Sequence, residues 1–182
     1  MNRIDNQGWL LGVEHCPSPN FGKRPNGAAI DLLVIHNISL PAGQFGGPHI
    51  RALFCNCLDC DAHPDFASLR GLRVSAHLLI DRQGRACQFV SFLDRAWHAG
   101  VSHFQGRDNC NDFSIGIELE GSDDIPYTHA QYCTLLGVTK TLQSYYPLIT
   151  SERIVGHSDI APGRKTDPGA AFDWRYYKKQ LS

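Results

Sequence analysis

The chain has 182 residues, 42% of them hydrophobic and 19% charged, with a formal net charge of −1. That balance suits one globular domain of ordinary size, expected to span residues 1–182, and gives no global attraction to nucleic acid or to an anionic membrane. No apolar stretch is long enough to span a bilayer, no basic run marks a nucleic-acid reader, and residues 1–7 lead into no apolar signal segment. A cytoplasmic protein, acting as a monomer, is expected.

Residues 1–30 are turn-rich, with Pro17, Pro19, Pro25 and Gly27. Residues 28–35 then form a mostly apolar run with β-branched members, which reads as a strand buried on both faces and ends in His36-Asn37. Residues 40–73 are long and mostly irregular, with a short helix expected at 48–54; a loop of this size is usually functional. Residues 74–81, the turn Arg82-Gln83-Gly84 and residues 85–90 read as a hairpin. A polar passage follows, Arg95-Ala96-Trp97-His98-Ala99-Gly100. Residues 113–120 alternate cleanly: Ile115, Ile117 and Leu119 share one face, while Gly116, Glu118 and Glu120 share the other. Two acids and a glycine make an odd core face, so that side meets water or a site. Residues 128–146 read as the best helix, with Thr128 and Gln131 as a capping box and Pro147 as the stop. A short strand is expected at 153–155 and a last helix at 172–181.

Residues 156–169 hold His157, Asp159, Lys165 and Asp167 among three glycines and two prolines, a shaped polar loop leaving a buried strand. His36, His157 and Asp167 are candidate metal ligands, and two imidazoles with one carboxylate leave the open position of a catalytic zinc site. Glu118 suits a general base and Lys165 an oxyanion stabiliser. Each residue alone has an ordinary reading: a core histidine, a turn aspartate, a solvated acid, a surface lysine. Spacing leaves His77 and His98 open as alternative ligands.

Several stretches together carry a family likeness. Val34-Ile35-His36-Asn37, Arg73-Val74-Ser75-Ala76-His77, Arg95-Ala96-Trp97-His98-Ala99-Gly100, residues 111–118 and Arg164-Lys165-Thr166-Asp167-Pro168-Gly169 resemble, in the right order, the zinc-dependent N-acetylmuramoyl-L-alanine amidases. Within that family the similarity is to the cytoplasmic branch acting on 1,6-anhydro-N-acetylmuramyl-L-alanine, and it runs from about Gly8 to Trp174. The resemblance implies an α/β fold, a mixed central β-sheet flanked by helices, shared with peptidoglycan recognition proteins. It implies Zn2+ on His36, His157 and Asp167, with Glu118 as acid/base and Lys165 at the oxyanion. It implies a small-molecule muropeptide substrate, cut between the muramyl group and L-alanine during cell-wall recycling. Asn37, Arg73 and Trp97 match groove-lining positions; Arg107 lies where the family holds the peptide, although Asn109 stands where a second basic residue is expected.

Three rivals are weaker. A non-cutting recognition module on the same fold is expected to lack a ligand or the acid. A non-haem iron triad beginning at His157-Ser158-Asp159 needs a later histidine, and none follows. A periplasmic amidase needs a signal segment. The seven cysteines read as reduced thiols, and Cys55, Cys57 and Cys60 before His63 read as a thiol-rich loop, because C-x-C-x₂-C is not a standard zinc spacing.

Overall fold

The computed structural model describes residues 3–181. Its early strands are β1 (Glu14–His15), β2 (Phe21–Gly22), β3 (Leu32–Ile38), β4 (Leu78–Ile80) and β5 (Ala86–Gln88). The later ones are β6 (Arg95–Ala96), β7 (His103–Phe104), β8 (Arg107–Asp108), β9 (Ser114–Glu120) and β10 (Ile154–Gly156). Helices are α1 (His49–Phe54), α2 (His129–Tyr145), α3 (His157–Ile160) and α4 (Trp174–Leu181). Six strands form a mixed sheet in the order β1-β5-β4-β9-β3-β10. The expected mixed central sheet with flanking helices is what the chain forms.

Four neighbours, β4, β9, β3 and β10, run parallel. Alternation decides what each face carries. Leu33 and Ile35 of β3, with Ile115, Ile117 and Leu119 of β9, pack against Leu135, Val138 and Leu142 of α2 and against Tyr177 of α4. Each such side chain, fully buried, contributes roughly 1.5–3 kcal/mol. On the opposite face Leu32 and Val34 meet Phe113 and Ile160, while Leu79 and Phe89 meet Ile50, Leu53 and Phe54 of α1. His36 follows Leu32 and Val34 at even spacing, so it belongs to this second face.

The capping box at α2 forms as expected: Thr128 Oγ1 accepts the Gln131 N–H at 3.1 Å, and Gln131 Oε1 accepts the Thr128 N–H at 3.1 Å. Three expectations change. Residues 74–77 precede β4 without joining it as a strand: Ser75 gives its N–H to the Trp97 carbonyl, outside the hairpin, and only His77 keeps bonds to Gly116 and Phe89. The long 40–73 segment holds α1, as expected, and also a 3₁₀ helix at Pro64–Leu69. The shaped loop expected from residue 156 opens instead as the single turn α3 at His157, and the Asp159 carboxylate accepts the N–H of the capping Gly156 at 2.7 Å.

Candidate metal centre

Parallel pairing brings three chemistry-bearing positions into one row. His36 of β3 is register-paired with Glu118 of β9, and Ile35 with Gly156 of β10, so His157 follows beside His36. The site therefore lies at the carboxyl ends of adjacent parallel strands, where open α/β sheets place ligands. The loop after α3 returns Asp167 to the same spot, pinned by the Ser158 N–H donating to the Asp167 carbonyl at 3.0 Å. Tyr127 locks the next residue by donating its hydroxyl to the Pro168 carbonyl at 2.7 Å.

The three donors form a nearly equilateral triangle. His36 Nδ1 lies 3.0 Å from His157 Nδ1 and 3.0 Å from Asp167 Oδ2, and His157 Nδ1 lies 3.1 Å from Asp167 Oδ2. Tetrahedral zinc with bonds of about 2.0 Å sets donor–donor edges of about 3.3 Å, so small adjustments bring the triangle to the ion. Among the described residues, these three make the group of donors close enough to share a metal.

Protonation fits as well, because ligands must offer lone pairs. Burial pulls His36 down to about 4, against the raising pull of the Asp167 hydrogen bond, so the ring is neutral at pH 7. Burial pushes the Asp167 carboxyl up, but hydrogen bonds with His157 and His36 outweigh it and hold the group well below the usual carboxylate range. His157 Nε2 lies 3.1 Å from the Ala99 carbonyl, which only accepts. A ring proton kept on Nε2 for that carbonyl would leave the Nδ1 lone pair free for a metal.

Glu118 stands beside this cluster, half-buried, and its Oε2 is buried with no hydrogen-bond partner among the described residues. A carboxylate left unpaired in this way is costly, and such groups mark working sites. Burial raises its pKa well above the ordinary value, the Asp167 charge raises it further, and Lys165 opposes both. Lys165 is exposed and, with Asn37, Asp123 and Asp167, lines an open pocket of about 540 Å³. Asn37 donates its Nδ2 to Asp123 Oδ1 at 2.8 Å.

The structure thus gathers His36, His157, Asp167, Glu118, Lys165 and Asn37. It does not bring every expected residue there. Arg73 is exposed and lines a separate pocket of about 210 Å³ with Asn56, Leu58 and Cys60. Arg107 gives Nη2 to both oxygens of Asp31, at 2.9 and 2.8 Å, and stacks 3.7 Å over the Phe113 ring. Trp97 is half-buried, with its Nε1 buried and unpartnered. Asp159 caps α3 and takes no part in the triangle. Cys55 faces Cys16 with sulfurs 3.5 Å apart, while Cys60 bonds the Leu58 carbonyl, so the thiol-rich loop does not converge on a centre. His77 and His98 are not part of the triangle; both lie buried behind it. Arg24 was not legible as a support residue: its guanidinium reaches from the turn-rich lead-in to the carbonyls of Asn111, Asp112 and Ser114 at 3.2, 3.1 and 2.8 Å. Neither the motifs nor the periodicity mark it.

Residues 26–170 match the family described as N-acetylmuramoyl-L-alanine amidase (Amidase_2). The 1,6-anhydro-N-acetylmuramyl-L-alanine amidase AmpD of Escherichia coli K12 is 57% identical over 176 residues, which cover 97% of this chain and 96% of that protein. A crystal structure of a selenomethionine AmpD derivative superposes with a TM-score of 0.95 at 54% identity, covering 98% of this chain and 99% of the other. AmpDh3 of Pseudomonas aeruginosa, solved in complex with anhydromuramic pentapeptide, gives a TM-score of 0.62 at 30% identity, covering 99% of this chain and 66% of that one. The donor triangle, the sheet that carries it and these likenesses agree, and the chain belongs to the N-acetylmuramoyl-L-alanine amidase family.

Proposed function

We propose that this protein hydrolyses the amide between N-acetylmuramic acid, in its 1,6-anhydro form, and L-alanine of muropeptides, with zinc as cofactor, during cytoplasmic recycling of cell-wall fragments. The observation that carries this reading is the pairing of a three-donor cluster with the unpartnered Glu118 carboxylate oxygen beside it. Kinship with AmpD proteins and the AmpDh3 complex with anhydromuramic pentapeptide support the substrate class. In support of the compartment, all seven cysteines are free, and no helix among the described residues is long and apolar enough to cross a membrane.

His36, His157 and Asp167 would hold the ion. When bound, zinc supplies Lewis-acid polarisation of a carbonyl and a water whose pKa falls to about 7. Glu118 takes a proton from the attacking water as its oxygen adds to the amide carbon. Glu118 then returns that proton to the alanine nitrogen as the C–N bond breaks, leaving a muramyl carboxylic acid and a free peptide amine, between which the acid proton then passes to give carboxylate and ammonium. A carboxyl whose burial raises its pKa suits both halves of this exchange, base first and acid second. Lys165 offers its ammonium to the oxygen that carries charge in the tetrahedral state. Asn37, Arg73 and Trp97 are proposed as substrate contacts; Arg107 is proposed as wall only, since its Nη2 is committed to Asp31.

The test is product analysis by mass spectrometry. Zinc-loaded protein is given anhydromuramyl-tripeptide in one tube and intact murein in another, each with a chelator control. Free tripeptide from the first tube only, lost on chelation, is expected. Cleavage of murein as well would point to a broader cell-wall amidase, and no cleavage of either would leave a binding module.

A further inference from the structure

His36 and His157 turn the same ring atom, Nδ1, into the triangle, and to offer that lone pair to a metal each must keep its proton on Nε2. His157 does this against a backbone carbonyl, that of Ala99. His36 has no carbonyl behind it. Its Nε2 lies 2.9 Å from Nδ1 of His98, a second buried imidazole. Two ring nitrogens this close share one proton, so one donates and the other accepts. If His36 presents a bare Nδ1, its Nε2–H is the donor and His98 Nδ1 the acceptor. His98 must then carry its own proton on Nε2, which lies 3.1 Å from the buried Ser114 hydroxyl oxygen, an acceptor.

We infer that His98 is a positioning residue: backed by Ser114, it holds His36 in the one tautomer and ring orientation that presents Nδ1 to a metal. The inference rests on the metal reading above and adds a residue to it.

The surroundings are built for this ring. Backbone N–H groups of His98 and Ala99 both donate to Asn111 Oδ1, at 3.0 and 2.8 Å, which fixes where the side chain leaves the chain. The His98 and His36 rings meet edge to face, with centroids 5.0 Å apart and planes at 82°. On the other side of the His98 ring is Gly116 of β9, where any Cβ would fall on the imidazole itself. The glycine on the odd face of β9 is thus the space in which His98 sits. The Gly116 N–H donates to His77 Nδ1 at 3.0 Å, so the neighbouring imidazole is held by backbone and leaves His98 to its two side-chain partners. The two partners suit one tautomer of His98: Nδ1 accepts from His36, and Nε2–H donates to the Ser114 hydroxyl oxygen.

Partners that orient a metal-bound imidazole typically change metal affinity 10–100-fold when removed. The experiment compares the full-length chain with His98→Phe, which keeps a ring over Gly116 but has no acceptor, and with His98→Gln, whose amide oxygen can accept. Zinc affinity is read by competition with a chromogenic chelator, and histidine tautomers in the zinc-loaded wild type are read from long-range ¹H–¹⁵N spectra. The expected result is a fall of about 10–100-fold for His98→Phe and partial rescue by His98→Gln, with His36 and His98 both protonated on Nε2. A folded His98→Phe chain with undiminished zinc affinity would overturn the inference. So would a loaded wild type with the His36 proton on Nδ1, a result that stands even if the Phe variant does not fold. A wild type that takes up no zinc would instead overturn the metal reading, and this inference with it.

Discussion

Gly116 and Gly137 are both glycines inside regular elements, neither at positive φ, and alanine is expected to move stability in opposite directions at the two. At Gly137, on the exposed side of α2, an added Cβ meets nothing within 4 Å. Alanine there removes glycine's extra backbone entropy and should stabilise by about 0.5–1 kcal/mol. At Gly116 the same entropic gain exists, but the Cβ lands on Cγ, Nδ1 and Cδ2 of His98. That ring is buried between His36 and Ser114, so it has nowhere to turn without breaking both contacts. Overpacking of this kind costs about 1–3 kcal/mol; a ring held on both sides puts this site in the upper half, about 2–3 kcal/mol, so after a gain of about 1 kcal/mol the net loss is about 1–2 kcal/mol. For a domain of this length each kcal/mol moves Tm by about 2–4 °C. Thermal unfolding followed by circular dichroism, with chelator present so that no metal contributes, should show Gly137→Ala rising by about 1–4 °C and Gly116→Ala falling by about 2–8 °C. A Gly116→Ala protein that melts at or above the wild type would refute the reasoning, because it would mean that His98 is free to move.

Replacing Glu118 by Gln should lower kcat by at least about 100-fold while leaving zinc content unchanged; metal analysis of the purified variant separates a lost base from a lost ligand. The pH profile follows from the raised pKa of Glu118. The base form is needed first, so kcat/KM should fall toward acid with an apparent pKa above the ordinary carboxylate range, and steady-state rates across pH check it. Stability has the opposite sign: a raised folded pKa means that the native state holds this proton longer than the unfolded chain does. The stabilisation is present below about pH 4.3 and is lost as pH rises through the folded value, so metal-free Glu118→Gln should gain on the wild type as pH rises, which paired melting curves will read. Stripping zinc should lower Tm: at free zinc 1,000-fold above Kd the lost linkage is about 4 kcal/mol, or about 8–16 °C. Thr128→Ala, which removes half of the α2 capping box, should cost about 1 kcal/mol without changing zinc affinity, and calorimetry with a zinc titration tests both.

Legibility followed how far each signal reaches along the chain. The alternation of residues 114–120 and the capping box at Thr128 and Gln131 are local patterns, and both formed as read. The odd face of β9 was visible as two acids and a glycine, but the occupant of the space at Gly116 was not, because His98 arrives from another segment. Spacing left His77, His98 and His36 equivalent; only the sheet, by placing His36 next to β10, decides which imidazole faces Asp167. Strands of two or three residues, such as β1, β6 and β7, are too short to carry any period, so the sheet edge and the small ribbons were invisible. Arg73 and Arg107 rested on resemblance alone, and Arg107 is held by Asp31, a partner 76 residues away that no local rule signals.

The sheet order has a consequence for how the molecule opens. β10 is an edge strand with β3 as its one partner, and edge elements are the first to fray. His157 leaves the end of that strand and Asp167 follows it, whereas His36 is anchored on β3, 121 residues earlier in the chain. An ion held by all three would work as a clasp, fastening the border strand of the sheet to its neighbour β3. Loading should therefore slow amide exchange in residues 154–157 far more than in β4 or β5, which lie on the other side of β9. Cation capture would then report that the two ends of the chain have met, since neither end alone carries the full set of donors.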